Sequence, residues 1–209
     1  MKREEKNQQT RRKIMDNALL EFSQQGYGAS SINTICAARD VSKGIIYHYF
    51  KSKDDLFLAC VEECFQLLTD YLKTNLQFEN LTPEKRMEKY FTARLNFFKT
   101  HPGYQRIFCE AVITPPVHLK AEIQERKQMF DDLNDEILKE LLSPVALRPA
   151  ITREDALETF RQFQDFINAR YQMAEVGTLE FTAREQNCRK ALDILLYGVI
   201  DTSGLSHNT

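Results

Sequence analysis

The spacing of apolar residues predicts a chain built only of helices. Apolar side chains recur every three or four residues along each long segment, which is the period of an α-helix with one buried face. No segment alternates apolar and polar residues over the length of a strand. We therefore expect an all-α fold, with a shorter helix over residues 104–113 and longer helices over residues 10–25, 53–75, 83–100, 117–142, 153–175 and 182–201.

Breaks in this pattern coincide with residues that end helices. Gly26 follows the first periodic segment, and glycine is common just past a helix end. Thr82 and Pro83 start another helix, with threonine as the cap and proline at the first helical position. Residues 143–152, which contain two prolines, predict a loop. The polar residues 1–9 and the tail 203–209 are expected to lie outside any helix.

Two short helices and the start of a third are predicted between residues 30 and 53. Ser30 or Ser31 can cap the first, which is expected to end at a turn formed by Arg39 and Asp40. Ser42 can cap the second, over residues 43–49. Ser52 and Asp55 have the spacing of a capping box at the start of the long helix over residues 53–75.

A helix, a tight turn and a second short helix form the arrangement that places its second helix in the major groove of DNA. Residues of that second helix have suitable chemistry. Lys43 supplies positive charge, Gly44 permits close backbone approach, and Tyr47 and His48 can hydrogen-bond to phosphates or base edges. The alternative is an ordinary helical hairpin in which Tyr47 and Tyr49 are core aromatics.

This region resembles the N-terminal module of the tetracycline-repressor (TetR) family over roughly residues 10 to 60. Two departures are Arg39-Asp40, where the family usually has Ala-Gly, and Ile45, where a small residue or threonine is common. The resemblance is carried in fixed register by Gly26-Tyr27, Ser30-Ser31-Ile32, Ile35, Val41-Ser42-Lys43-Gly44, Tyr47-His48-Tyr49-Phe50 and Ser52-Lys53-Asp54-Asp55-Leu56.

The resemblance implies a three-helix DNA-binding domain over residues 8–68 and a larger helical regulatory and dimerisation domain over residues 69–204. It also implies contacts of Lys43, Gly44, Tyr47, His48 and Lys53 with a palindromic operator in double-stranded DNA. The candidate DNA-binding residues are Ser31, Ser42, Lys43, Gly44, Ile45, Tyr47, His48 and Lys53, of which Ser31 and Lys53 are expected to contact phosphates from helix N-termini.

The charge distribution agrees with a DNA-binding N-terminus. The chain carries a net charge of −2, but residues 1–55 hold ten Lys or Arg against seven Asp or Glu, a net of +3. The remaining residues hold eighteen against twenty-three, a net of −5. A basic end on an acidic body is the asymmetry expected of a protein whose N-terminal domain alone binds DNA.

The sequence predicts a cytoplasmic protein that is not an enzyme. No apolar run approaches the roughly 20 residues of a membrane span, and the N-terminus lacks the apolar segment of a signal peptide. We find no nucleotide-binding glycine loop, catalytic serine motif or metal-binding histidine pair, so we expect no cofactor or metal. Cys60 and Cys64, four residues apart, indicate core packing, with half a metal site or a redox switch as the alternative.

The last two predicted helices carry broad apolar faces and are expected to pair with those of a second copy. A short recognition helix reads few base pairs, so specific binding needs two copies about one DNA turn, roughly 34–36 Å, apart. Two helices from each subunit would form a four-helix interface. The alternative is that both helices only close the core of the monomer.

Large aromatics and a few polar residues in the middle helices suggest a pocket for a largely apolar effector. The alternative is that the phenylalanines only fill the core. The expected function is a transcriptional regulator. The resemblance implies a repressor released from its operator by this effector, and activation or constitutive binding is the competing mechanism. A helical ligand-binding or scaffold protein that does not bind DNA is the alternative to a regulator. The candidate pocket residues are Phe91, Arg94, Phe98, Phe108, Phe130, Asn134, Phe163 and Phe166.

Overall fold

The computed structural model describes residues 3–37, 41–173, 190, 191, 194, 195 and 198. Within these residues the regular structure is helical and contains no β-strand, which confirms the all-α prediction. The elements are α1 (Arg3–Ala29), α2 (Ile32–Ala37), α3 (Lys43–Tyr49), α4 (Lys53–Asn75), α5 (Pro83–Thr100), α6 (Pro102–Val112), a 3-10 helix (Val117–Leu119), α7 (Lys120–Leu142) and α8 (Arg153–Met173).

The first helix is longer than the apolar pattern predicted. It begins at Arg3, so the expectation that residues 1–9 lie outside any helix is wrong from Arg3 onward. Glu4 and Glu5 lie in its first turn, where negative charge interacts favourably with the helix dipole. Gly26 interrupts α1 at the predicted end with φ of 78°, in the left-handed region that glycine adopts readily.

Two further boundaries differ from the prediction. The helix expected from residue 117 starts as one 3-10 turn, and α7 proper begins at Lys120. The helix α6 starts two residues early, with Pro102 in its first turn, where a missing N–H costs nothing. The predicted Arg39–Asp40 turn, most of the predicted helix 182–201 and the tail 203–209 lie outside the described residues.

The chain divides into two compact units, which we call the N-terminal unit (Met1–Thr69 and Phe98–Phe130) and the C-terminal unit (Asp70–Phe97 and Asp131–Thr209). In the N-terminal unit α1 packs against α2 and α6, and α2 packs against α3. The core of this unit contains the fully buried side chains Ile14, Phe22, Ile46, Phe57, Phe65 and Phe108.

Three buried thiols lie in the N-terminal unit. Cys60 and Cys64 on α4 are fully buried, and Cys109 on α6 is nearly so. Burial raises the pKa of the Cys60 and Cys64 thiols, because desolvation disfavours the thiolate. The Cys64 thiol lies 3.7 Å from the carbonyl oxygen of Tyr104 and can donate to it. These are the properties of core cysteines rather than of reactive ones.

Candidate nucleic-acid interface

The helix α2 is positioned by a serine cap and two buried isoleucines. The N–H of Thr34 donates to the Ser31 hydroxyl oxygen at 3.2 Å, which identifies Ser31 as the cap of the two serines considered. Ile32 and Ile35 are buried. The half-buried Ser31 therefore holds the first turn of α2.

The helix α3 occupies residues 43–49, as the sequence predicted, and Ser42 caps it. The N–H of Ile45 donates to the Ser42 hydroxyl at 3.3 Å. Ile46 is fully buried, and Val41 and Phe50 are buried at the two ends. Three buried apolar residues, Ile46 within the helix and Val41 and Phe50 at its ends, therefore determine which side of α3 faces solvent.

The outward side of α3 carries the residues predicted to read DNA. Lys43, Gly44 and His48 are exposed, while Ile45 and Tyr47 are 42% and 47% exposed. The Lys43 ammonium lies 5.9 Å from the centre of the Tyr47 ring, within the range of a cation–π contact. A Cβ added at Gly44 would have no other group within 4 Å, so this part of the helix surface is open.

Tyr49, on the other side of α3, joins that helix to α1. Its hydroxyl donates to the side-chain oxygen of Asn7, and the Arg11 guanidinium lies 5.3 Å from the centre of the Phe50 ring. Asn7 belongs to the part of α1 that the sequence pattern did not predict. The early start of α1 therefore has a structural role, because it holds the C-terminal end of α3.

Lys53, a predicted phosphate contact, is half-buried at the start of α4. Its ammonium donates to the carbonyl oxygens of Tyr27 at 2.8 Å and Ser30 at 3.1 Å, and it lies 4.1 Å from the centre of the Tyr27 ring. An ammonium has three N–H donors, and these two hydrogen bonds use two of them.

A polar cluster, which no sequence pattern predicted, surrounds the Tyr27 hydroxyl. This hydroxyl donates to Asp54 at 2.6 Å and lies 3.0 Å from Nε2 of His118, which itself lies 3.3 Å from the second Asp54 oxygen. Burial and the Asp54 carboxylate raise the pKa of Tyr27. The cluster links the end of α1, the start of α4 and the 3-10 helix.

A second polar cluster surrounds the break in α1. The Arg106 guanidinium donates to the carbonyl oxygens of Gln24 at 2.6 Å and Gln25 at 3.0 Å. One Glu110 oxygen accepts from the N–H of Tyr27 at 3.0 Å, and the other lies 3.4 Å from Nε of Arg106. A Cβ at Gly26 would lie 2.4 Å from Glu110. Two side chains of α6 therefore bind the backbone on both sides of Gly26.

Three of the predicted pocket residues pack together in the N-terminal unit. The Phe108 ring lies 5.0 Å from Phe98 and 5.9 Å from Phe130, centre to centre. The Phe65 ring lies 5.4 Å from Phe108 and 5.3 Å from Phe130. In this structure these phenylalanines form an aromatic cluster.

The predicted polar pocket residues belong to a buried network in the C-terminal unit. Its centre is the fully buried Tyr90, whose hydroxyl donates to Asn134 and accepts from Gln164 at 2.9 Å and from Arg94 at 3.2 Å. The amides of Asn134 and Gln164 also bond to each other at 3.2 Å. Arg94, Asn134 and Gln164 are all buried, so these polar groups face inward.

The remaining predicted pocket residues lie on α5 and α8. The Phe91 ring packs edge-on against Phe163 at 5.5 Å and lies 5.4 Å from Tyr90. Phe166 is 57% exposed. The Phe91–Phe163 pair therefore packs beside the Tyr90 network, whereas Phe166 is an apolar side chain at the surface.

A cavity of about 430 Å³ lies elsewhere in the C-terminal unit. It is open on one side, and none of the eight predicted pocket residues lines it. The end of α4, the segment 76–79, the start of α5 and the later turns of α7 form its walls. The lining residues are Leu72, Lys73, Leu76, Gln77, Phe78, Glu79, Arg86, Leu133, Ile137 and Glu140.

The described part of the chain contains neither a metal-binding cluster nor a membrane-spanning helix. No three His, Cys, Asp or Glu side chains are grouped so that they could hold a metal ion. Among the same residues, no helix has both the length and the apolarity needed to cross a membrane.

Two family models match most of the chain. Residues 14–60 match the model for bacterial regulatory proteins of the tetR family, and residues 81–199 match the C-terminal domain model described as tetracyclin repressor-like. A curated relative is the biofilm operon icaADBC HTH-type negative transcriptional regulator IcaR of Staphylococcus epidermidis. It is 26% identical over 128 residues, which are 61% of this chain and 66% of that protein.

Solved structures show the same fold at low sequence identity. A tetR family transcription regulator from Shewanella sp. PV-4 superposes with a TM-score of 0.67 at 17% identity, covering 92% of this chain and 98% of that one. The regulator FadR from Bacillus subtilis, solved in complex with stearoyl-CoA, gives 0.65 at 17% identity, covering 86% and 96%.

Proposed function

Because this chain belongs to the TetR family of bacterial regulatory proteins, we propose that it is a sequence-specific DNA-binding transcriptional regulator, a repressor released by a small molecule. The observation that carries this proposal is the exposed side of α3. A short, capped helix that is anchored by the buried Ile46 and by the Tyr49–Asn7 hydrogen bond, with its other residues exposed, has the geometry of a recognition helix. Such a protein acts in the cytoplasm, where bacterial DNA lies.

The residues of this surface have different roles in the proposal. Tyr47 and His48 read base edges, and Gly44 lets the backbone approach the groove. Lys43 binds phosphate, and Ile45 contacts a thymine methyl group or sugar. In this assignment the phosphate contact positions the protein on the DNA backbone, and the base contacts read the sequence.

The flanking residues hold the recognition helix in place. Ser42 caps α3, Ser31 caps α2, and Lys53 ties the α1–α2 junction to α4. We propose that the third N–H of the Lys53 ammonium and the Ser31 hydroxyl also contact phosphates at the edge of the groove.

Binding-site selection from random duplex DNA tests the function. We expect one palindromic sequence to be enriched, and Tyr47→Ala or His48→Ala to weaken binding to it by roughly 5- to 150-fold, because one base contact contributes about 1–3 kcal/mol. Lys139→Ala, an exposed change on α7, is the control and should bind like the wild type. Thermal unfolding checks that the variants remain folded.

Each result of this experiment has a distinct meaning. If both variants bind the selected duplex as tightly as the wild type, the assignment of base reading to Tyr47 and His48 is wrong. If the wild type enriches no sequence and does not bind random duplex at low salt, the regulator proposal fails and the scaffold alternative stands.

We propose that the protein acts as a homodimer formed by α8 and the helix predicted over residues 182–201. Phe166 is 57% exposed and Ile194 is 74% exposed, and exposed large apolar side chains are typical of a surface that a partner covers. Phe166→Asp should convert the dimer to a monomer, measured as the solution mass at micromolar concentration. A wild-type protein that is monomeric under these conditions would refute the homodimer.

The proposed effector site is the cavity of about 430 Å³, a volume within the range of small-molecule sites. Its lining includes apolar side chains, among them Leu72, Phe78 and Ile137. It also includes charged side chains, among them Lys73 and Arg86. This combination suits an amphipathic molecule with an acyl or aromatic body and a polar end. Leu72 and Lys73 belong to α4, the helix that begins with Lys53 beside the DNA-binding surface.

Stearoyl-CoA is the first probe, because the B. subtilis FadR structure contains it. We expect it to release the wild type from the selected duplex. Leu133→Trp, which fills the cavity, should abolish that release, whereas the exposed neighbour Glu136→Trp should not. If stearoyl-CoA releases both variants equally, the cavity is not its site; if it does not release the wild type, a long-chain acyl effector is excluded.

A site at the eight residues named from the sequence remains a prediction. Phe163→Trp, tested in the same assay, would block release if the effector binds beside Phe91 and the Tyr90 network. Normal release from that variant would remove this position from consideration.

A further inference from the structure

On its Gln24–Gln25 side, the break in α1 is held by a side chain of α6. An α-helix that ends leaves its last carbonyl oxygens without intrahelical partners. At the break, the Arg106 guanidinium supplies two of those partners, with distances of 2.6 Å to Gln24 and 3.0 Å to Gln25. A planar guanidinium can bond two adjacent acceptors at once.

Glu110 completes the arrangement on the other side of the break. Its carboxylate accepts from the N–H of Tyr27 at 3.0 Å, the first peptide N–H after Gly26. Because cations favour helix C-termini and anions favour N-termini, the positive side chain lies on the end of one helical segment and the negative one on the start of the next. The two side chains also lie 3.4 Å apart. We call this pair and its backbone partners the α6 clamp.

Gly26 is the residue that permits the clamp. Its φ of +78° is one that other L residues rarely adopt. A Cβ there would also lie 2.4 Å from Glu110 and 2.6 Å from Arg106. Nearby, a Cβ at Gly103 would lie 3.2 Å from Leu19, so the backbone of α6 approaches α1 closely at a second point.

The clamp adjoins the segment that leads into the DNA-binding surface. Tyr27, held by Glu110 through its N–H, donates its hydroxyl to Asp54 and its carbonyl accepts from Lys53. Ser30, just before α2, donates its N–H to the carbonyl of Gly26 at 3.2 Å. The backbone from Gly26 to Ser30 therefore connects the clamp to Ser31, the cap of α2.

We propose that Arg106 and Glu110 are positioning residues for DNA recognition: they fix the Gly26 break and thereby the orientation in which α2 and α3 meet the operator. This inference rests on the proposed function. It assigns to α6, which carries none of the proposed DNA-contacting residues, a role in orienting α2 and α3. Displacing α6 would release the Gly26–Ser30 segment without changing any residue that contacts DNA.

The test measures the preference for half-site spacing as well as affinity. The selected operator is compared with duplexes in which one or two base pairs are added between its half-sites. The proteins are the wild type, Arg106→Gln, Glu110→Gln, the charge-retaining Arg106→Lys, and Gln105→Ala as a control on the same helix. Thermal unfolding is recorded for each.

A positioning role predicts a specific pattern. Arg106→Gln and Glu110→Gln should bind the selected operator about 3- to 30-fold more weakly than the wild type does. They should lose much less affinity for the altered spacings. The ratio of the affinity for the selected spacing to the affinity for an altered spacing should therefore be smaller than in the wild type. Arg106→Lys should recover part of the preference, and Gln105→Ala should keep all of it. If Arg106→Gln does not fold, Glu110→Gln, which retains the size of the side chain, decides the outcome.

Two other results would overturn the inference. Equal weakening on every spacing would mean that the clamp contributes only to stability. Unchanged affinity and preference would mean that α2 and α3 are oriented without it. Both are read against a wild type that binds the selected operator; a wild type that binds no sequence contradicts the proposed function instead.

Discussion

Replacing Tyr90 by phenylalanine removes one oxygen from the centre of the buried network in the C-terminal unit. That oxygen takes part in three hydrogen bonds, to Asn134, Gln164 and Arg94, while the ring stays in place. Phe91, which packs against this ring, is undisturbed. The substitution therefore isolates the polar contribution of the network from its packing.

The cost follows from what each partner retains. The Asn134 oxygen keeps a bond from the Gln164 amide at 3.4 Å, and the other Asn134–Gln164 bond stays at 3.2 Å. The main losses are the shorter Gln164 bond and the charged bond from Arg94. A hydrogen bond to a charged group contributes about 1.5–3 kcal/mol and a neutral one about 0.5–1.5 kcal/mol. We expect the free energy of unfolding to fall by about 2–3 kcal/mol, since the released groups can partly pair again.

Thermal unfolding at fixed protein concentration measures this loss. For a chain of this size the expected decrease in Tm is about 4–12 °C. Tyr71→Phe is the matched control, because Tyr71 lies half-buried in the same unit with its ring against Phe97. If the two variants unfold within about 1 °C of each other, a difference below the roughly 2 °C per kcal/mol expected, the network contributes nothing beyond its packing.

Three further predictions concern single positions. Ser42→Ala removes the cap of α3 and should destabilise the protein by about 1 kcal/mol, measured by urea unfolding, with a loss of operator affinity; no loss of either would exclude the cap. Gly26→Ala forces a side chain into a left-handed conformation against Glu110 and should lower the Tm by several degrees, whereas Gly28→Ala, which meets nothing within 4 Å, should not. Hydrogen bonds from Thr152 lower the pKa of the Asp155 carboxyl. The stabilisation that the Asp155 carboxylate provides is therefore present at neutral pH and disappears as the pH falls through that lowered pKa. Asp155→Asn should unfold more easily than the wild type at neutral pH, and the two proteins should unfold equally easily at strongly acidic pH.

The helices that the sequence predicted well are those whose ends carry their own signals. Ser42 before α3, Lys53 after Ser52, and Thr82 before Pro83 each mark a boundary by local hydrogen bonding or by a missing N–H. These effects involve residues within four positions of each other. They can therefore be read from one segment of sequence without knowing what packs against it.

The features that the sequence did not predict depend on contacts between distant segments. The first turns of α1 lack an apolar face, and one of their partners is Tyr49, 42 positions away. Arg106 and Glu110 resemble any exposed charged pair on a helix until α6 is placed against the break at Gly26. Helical spacing likewise indicated that Phe108 and Phe130 face inward, but not that they pack on Phe65.

The buried thiols of the N-terminal unit can report how often its packing opens. A modifying reagent reacts with a thiolate, and Cys60, Cys64 and Cys109 are shielded while α4 and α6 remain packed. Their labelling rate therefore measures how often this packing opens, whereas the half-exposed Cys36 should react without such opening. Following both rates with and without operator DNA would give the lifetime of the packed state of α4 and α6 in seconds or hours, from the unmodified sequence.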